Sequence, residues 1–138
     1  PQGDGMRAKL AANAVSHAVY VVLAEALAVG AAQDIPMEVM YRLLARESGL
    51  SRPLTHRIGE RFLKGDFAGG MSTANARKDS RLFLETAHEL NVPVFATQAA
   101  HSVYELAASE GMAAHDYAIV ATLWEKWMGR KLVTEVNP

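Results

Sequence analysis

The chain has no cysteine among its 138 residues. That excludes a disulfide framework, a thiolate nucleophile and a zinc–thiolate centre, and it suits a reducing compartment, so a cytoplasmic location is expected. Blocks of basic charge are missing too. The nine arginines run singly from Arg7 to Arg130, and 14 Lys and Arg against 15 Asp and Glu leave a net charge of −1. Neither nucleic acid nor an anionic membrane surface is electrostatically favoured as a partner. His17, His56, His88, His101 and His115 show no H-x-x-x-H or H-E-x-x-H spacing, so no metal site is expected. Ser48 and Ser51 have no visible acid–base partner, which leaves a serine nucleophile unsupported. Period-two alternation is almost absent, and so is a G-x-G-x-x-G run following a strand. The triplet Gly3-Asp4-Gly5 is only G-x-G and makes no dinucleotide fingerprint.

What is present reads as one helical globule. Hydrophobic residues make up 50% and charged residues 21%, the composition of a folded chain. A single domain over residues 1–138 can bury roughly two-thirds of its unfolded surface without a metal or disulfide. Residues 10–32 are rich in Ala, Val and Leu, but Asn13, Ser16, His17 and Glu25 interrupt them. No apolar run approaches the ~20 residues of a membrane span, so a buried helix and no membrane partner are expected. The spacing predicts a long spine helix over 5–33, with Gly30 marking fraying near its end, and a second helix over 36–47 stopping at Ser48. Glycines and Pro53 break 49–70 into short pieces. Further helices are expected over 72–90, over 97–111 with Thr97 as N-cap, and over 115–129. Met37, Met40 and Met112 read as core fillers, and Trp124 and Trp127 as core or a subunit contact. Residues 130–138 read as a loose tail. The expected fold is all-α.

Two pairs of side chains invite a chemical reading. Lys9 and Asn13 lie four apart and share a helix face, a stripe that Ser16 and Tyr20 continue. An ordinary solvated strip accounts for that spacing. The alternative notes the close apolar company of Ala8, Leu10, Ala11 and Ala14, which would partly desolvate the lysine and fit it for proton transfer. Lys78 and Asp79 are adjacent opposite charges, common on any surface helix. Their place just after the Gly69-Gly70 loop is what a ligand approaching the backbone would need. Asp116, beside His115, reads as a cap for the last helix.

Five features in order then give a resemblance: G-x-G-x-x-x-K-x-x-x-N over 3–13, A-E-A-L at 24–27, K-G-D-F at 64–67, the K-D pair at 78–79, and Asp116. Together they resemble the C-terminal domain of the β-hydroxyacid dehydrogenase family over residues 3–129. The resemblance implies a helical substrate-binding and dimerisation domain of an NAD(P)-dependent oxidoreductase acting on a small hydroxy acid. It implies Lys9 as the catalytic lysine and Asn13 as a substrate-holding amide. Gly3 and Gly5 would form a backbone turn admitting substrate, Lys78 would lie near the nicotinamide of NAD or NADP, and Asp79 would support it. Glu25 would be structural. It further implies a homodimer or homotetramer. Two positions depart from the family pattern: Ala12 replaces a second asparagine, and Met71 stands where a phenylalanine often walls the nicotinamide. The family's Rossmann domain would precede this segment, so the chain is expected to be a fragment, inactive alone. A helical interaction domain keeping the family scaffold without catalysis is the competing reading.

Overall fold

A helix that is apolar all round is stable in water only where something covers it, and the first helix poses this problem at once. In the computed structural model, which describes residues 4–46 and 50–133, α1 spans Asp4–Ala32 and is 29 residues long. At 1.5 Å per residue it measures about 44 Å. The chain buries only its last third, at Glu25, Val29 and Gly30, while Leu10, Val15, Val19, Tyr20, Val21 and Val22 are exposed. The expectation of a buried helix therefore fails for two-thirds of α1, because its neighbours pack against its C-terminal end. By length and composition α1 is apolar enough to cross a membrane.

α1 ends in a left-handed residue, Asp34 at φ 58°. Ile35 N–H donates to the Gly30 carbonyl at 3.0 Å and Asp34 N–H to that of Ala31 at 3.0 Å, the paired bonds of a Schellman stop. Gly30 is not a fraying point. It is buried inside the helix, and a Cβ there would lie 2.9 Å from the Met40 sulfur. Glycine thus lets α2, Met37–Leu44, lie against α1. Met37 is exposed, so it fills no core.

A π-helical turn, Pro53–Gly59, and a 3₁₀ turn, Phe62–Lys64, follow. Then come α3, Thr73–Glu89, and α4, Ala96–Ser109. Ser72 caps α3 by accepting from Asn75 N–H at 3.2 Å, and Asn91 at φ 56° stops it with a second Schellman pair. Buried Ala76 and Ala87 on α3 and Ala107 on α4 allow these helices to approach closely. The hydrogen bond between Ser80 Oγ and His101 Nδ1, 2.8 Å, joins them at their polar edge. The last helix begins as a 3₁₀ turn, Tyr117–Ala121, and continues as α5, Thr122–Met128, with Leu123 fully buried. Trp124 and Trp127 meet edge to face at 5.2 Å but are about half exposed in the chain, so neither is core. The start of the expected tail folds back, since Leu132 N–H donates to Glu125 at 3.0 Å. Ser48 and residues 134–138 lie outside the described residues. Among the described residues there is no strand, only an isolated bridge between Ser72 and Asp116, and the fold is all-α.

The start of α4 is capped from far away in sequence. Glu25 Oε1 accepts from Phe95 N–H at 2.6 Å and Ala96 N–H at 2.7 Å, while Oε2 accepts from the Thr97 N–H at 3.0 Å and its hydroxyl at 2.7 Å. Thr97 is therefore not the N-cap. Its hydroxyl donates to the carboxylate that fills the orphan N–H positions. Burial pushes the Glu25 carboxyl up, but the Thr97 hydroxyl and the N–H groups of Thr97, Ala96 and Phe95 more than reverse this. The group is held below the ordinary glutamate value. Because the folded value lies below the unfolded one, the carboxylate adds stability above roughly pH 4.3, which is lost as pH falls through the lowered value. Glu25→Gln should therefore cost about 1–3 kcal/mol at pH 7. In thermal melts the gap to wild type should close as pH drops from about 5 towards 3; a gap independent of pH would rule out the ionised cap.

Candidate functional site

Two clusters carry the residues singled out by the sequence. The first is the N-terminal half of α1, where Lys9 and Asn13 lie one turn apart on one exposed face. The alanines around Lys9 do not close over it, and the described residues leave it exposed. Gly5 is helical and not part of a turn, since α1 begins at Asp4, and its Cβ position is open. Gly3 lies outside the described residues. No hydrogen bond or ion pair among the described residues joins this face to Met71, Lys78 or Asp79.

The second cluster is the loop leading into α3. Gly65 at φ 64° closes the 3₁₀ turn, after which Asp66 Oδ1 accepts from Ala68 N–H at 3.0 Å. Arg61 braces the loop, donating to Asp66 Oδ2 at 3.2 Å and to the Ala68 carbonyl at 2.7 Å. The K-G-D-F motif is thus a self-bonded turn. Gly69 and Gly70 both take φ 69°, a backbone region that costs other residues dearly. Met71 is half-buried. Lys78 and Asp79 lie on the exposed side of α3 with their charged atoms 3.5 Å apart.

This loop is stitched to the segment before α5. Asp116 N–H donates to the Phe67 carbonyl at 2.9 Å, Tyr117 N–H to the Met71 carbonyl at 2.9 Å, and Thr73 N–H to the His115 carbonyl at 2.7 Å. Asp116 is fully buried. Its Oδ1 accepts from Ala118 N–H at 2.9 Å, which makes it the cap of the last helix as expected. Its Oδ2 accepts from Arg57 Nη1 at 2.7 Å, a partner that sequence spacing gave no means of finding. The Arg57 guanidinium also lies 4.6 Å over the Tyr117 ring, and its Nε is buried without a hydrogen-bond partner. Tyr117 in turn meets Tyr104 edge to face at 6.1 Å. Burial pushes the Tyr104 phenol up, Tyr117 adds to this and Arg57 opposes it.

The match to known proteins covers both clusters. The family model described as NAD-binding of NADP-dependent 3-hydroxyisobutyrate dehydrogenase matches residues 3–124. The chain belongs to the 3-hydroxyisobutyrate dehydrogenase family. Among its relatives, 2-(hydroxymethyl)glutarate dehydrogenase of Eubacterium barkeri is 31% identical over 127 residues, covering 92% of this chain and 42% of that protein. The 3-sulfolactaldehyde reductase of Escherichia coli K12 is 27% identical over 118 residues, 86% of this chain and 40% of the relative. The NAD-dependent L-serine dehydrogenase of Pseudomonas aeruginosa is 26% identical over 136 residues, covering 94% of this chain and 46% of the relative. The chain thus spans less than half the length of these family members.

One further feature belongs to the family domain. An apolar groove of about 820 Å³ runs between the middle of α1 and the last helix, lined by Val19, Val22, Leu54, Ile58 and Trp124, with Arg57 in its wall.

Two substitutions test how firmly the loop is held. Asp116→Asn leaves the Arg57 charge buried without its counter-ion and should cost about 3–5 kcal/mol in urea unfolding. Gly70→Ala brings a Cβ to 2.1 Å from Asp116 Oδ2 and keeps a positive φ. It should cost about 1–3 kcal/mol. Losses under about 0.5 kcal/mol for both would show that the carboxylate does not hold this turn.

Proposed function

We propose that this chain is the helical substrate and dimerisation domain of an NAD(P)-dependent dehydrogenase acting on a small hydroxy acid. The supporting observation is the family match over residues 3–124, which takes in the Lys9/Asn13 face and the Met71–Asp79 segment together. The relatives' names point to small substrates: a (hydroxymethyl)glutarate, a sulfolactaldehyde and a serine. Interconversion of a hydroxyl and a carbonyl beside an acidic group is the shared chemistry we assign.

The residues present fit one end of a nicotinamide dinucleotide and not the whole of it. Lys78 is an exposed cation, Met71 offers a half-buried thioether, and the open backbone at Gly69 lets a ring approach. No strand–turn–helix phosphate cradle exists among the described residues, and the rest of the cofactor would need a Rossmann domain, for which the relatives' extra length leaves room. When bound, the nicotinamide accepts or gives the hydride. Lys9 takes the substrate hydroxyl proton during oxidation and returns it to the forming alkoxide during reduction. Asn13, one turn along, orients the same oxygen or the neighbouring carboxylate. The cover that desolvates Lys9 would come from that domain, and this accounts for the exposed N-terminal half of α1.

The remaining apolar surface of α1 belongs to a second copy. Val15, Val19 and Val22 follow helical spacing along the groove wall, a surface that a homodimer or homotetramer would cover. We assign this surface to protein contact and not to a bilayer, because Lys9, Asn13, Ser16 and His17 interrupt it and Glu25 is committed to α4.

Two measurements on the full-length protein follow. Lys9→Ala should lower kcat by about 10²–10⁴-fold with little change in the hydroxy-acid KM. Asn13→Ala should raise that KM by roughly tenfold, the effect of about 1.4 kcal/mol. Normal turnover by the lysine variant would remove its proton-transfer role. Val19→Glu should convert the assembly to monomers in light scattering while leaving the helical content intact; an unchanged mass would place the subunit contact elsewhere.

A further inference from the structure

The geometry points to Arg57 and Asp116 as a positioning pair that sets where the Gly69–Met71 turn and α3 stand relative to the nicotinamide cofactor. This rests on the functional reading above, but its structural half stands by itself. Three segments meet at the pair, the last of them far along the chain: the π-turn Pro53–Gly59, the loop over 67–73, and the 3₁₀ turn Tyr117–Ala121. Their side-chain junction is the Asp116 carboxylate, whose two oxygens take Arg57 Nη1 at 2.7 Å and Ala118 N–H at 2.9 Å.

The carboxylate also defines the turn by contact. Gly70 is pressed so closely that a Cβ would sit 2.1 Å from Asp116 Oδ2 and 3.3 Å from Arg57 Nη1, so the pair fills the space any other residue would need. The next residue, Met71, is then fixed by its carbonyl on Tyr117 N–H, and Thr73 by its N–H on the His115 carbonyl. From Ser72 the same helix continues to Lys78, about 9 Å along its axis, so the position of the cap sets where the lysine stands. Arg57 serves two partners at once, the Asp116 carboxylate and the Tyr117 ring.

Asp116 is fully buried and Arg57 nearly so, so both act through Gly70 and Met71, which they hold. The test uses the full-length protein with Arg57→Leu, Arg57→Lys and Gly70→Ala, and Glu25→Gln as a destabilised control away from the loop. Amide hydrogen exchange at Thr73 and Tyr117 should rise at least about tenfold in Arg57→Leu and Gly70→Ala, while amides in the middle of α4 keep their rates. The KM for NAD or NADP should rise roughly tenfold with the hydroxy-acid KM within about twofold, since the misplacement is on the cofactor side. Arg57→Lys, which keeps the charge and folds most readily, should recover most of both effects. Glu25→Gln should lower the thermal midpoint and leave both constants unchanged. An exchange increase spread evenly over the chain, or an unchanged cofactor KM in a folded Arg57→Leu or Gly70→Ala protein, would overturn the assignment. Failure of the wild-type protein to turn over any hydroxy acid would instead overturn the enzymatic reading; the exchange comparison needs neither ligand and still decides for or against the pair.

Discussion

Water is kept from the Asp116 carboxylate entirely, and a buried charge of this kind must be matched by donors or the fold does not form. The match comes from Arg57 on one oxygen and a helix-start amide on the other. Satisfying the charge ties the π-turn to the last helix, and the backbone bonds at Phe67, Met71 and Thr73 bring the glycine loop into the same arrangement. Glu25 does the equivalent at the opposite end, where its carboxylate gathers the free amides at the start of α4. The buried apolar residues between these points are mostly alanines, with Val29, Phe62 and Leu123 as the larger ones. A core so poor in bulk leans more than usual on its two ionic fixtures for register.

Much of this was legible in the sequence, and the rest was hidden for identifiable reasons. Helical periodicity located the main helices to within a few residues, because a 3.6-residue apolar repeat is a local property. The expected range 72–90 also ends within a residue of the Ser72 cap and the Asn91 stop, since each acts on its own helix. Thr97 misled because the donors at the start of α4 are satisfied by Glu25, a partner 72 residues away. Gly30 misled for a related reason: its purpose is contact with Met40 on another helix, not local flexibility. Arg57 gave no signal at all, because an arginine in a loop looks the same whether it faces solvent or a buried carboxylate.

The exposed length of α1 is the other lesson. Composition favoured burial, and for the C-terminal third that is what the fold delivers; the remainder finds no cover within the described residues. The relatives this chain matches are more than twice as long, and the proposed function assigns the uncovered apolar surface to protein contact. Under the proposed function, the Lys9/Asn13 face and the Met71–Lys78 loop would be two parts of one site, completed by protein outside this segment. On that proposal the residues here would handle a proton, an oxygen and one edge of a ring, and the hydride chemistry would be the cofactor's.

The account stands on hydride transfer between a hydroxy acid and a nicotinamide. Its most direct test is isotopic: the full-length protein is given NAD or NADP and a small hydroxy acid carrying deuterium on its carbinol carbon, and the nicotinamide product is read by proton NMR. Deuterium arriving at C4 of the ring, on a single face, is the predicted result. Deuterium retained in the acid across a panel of such substrates, or released to water with no reduced nicotinamide formed, would contradict it.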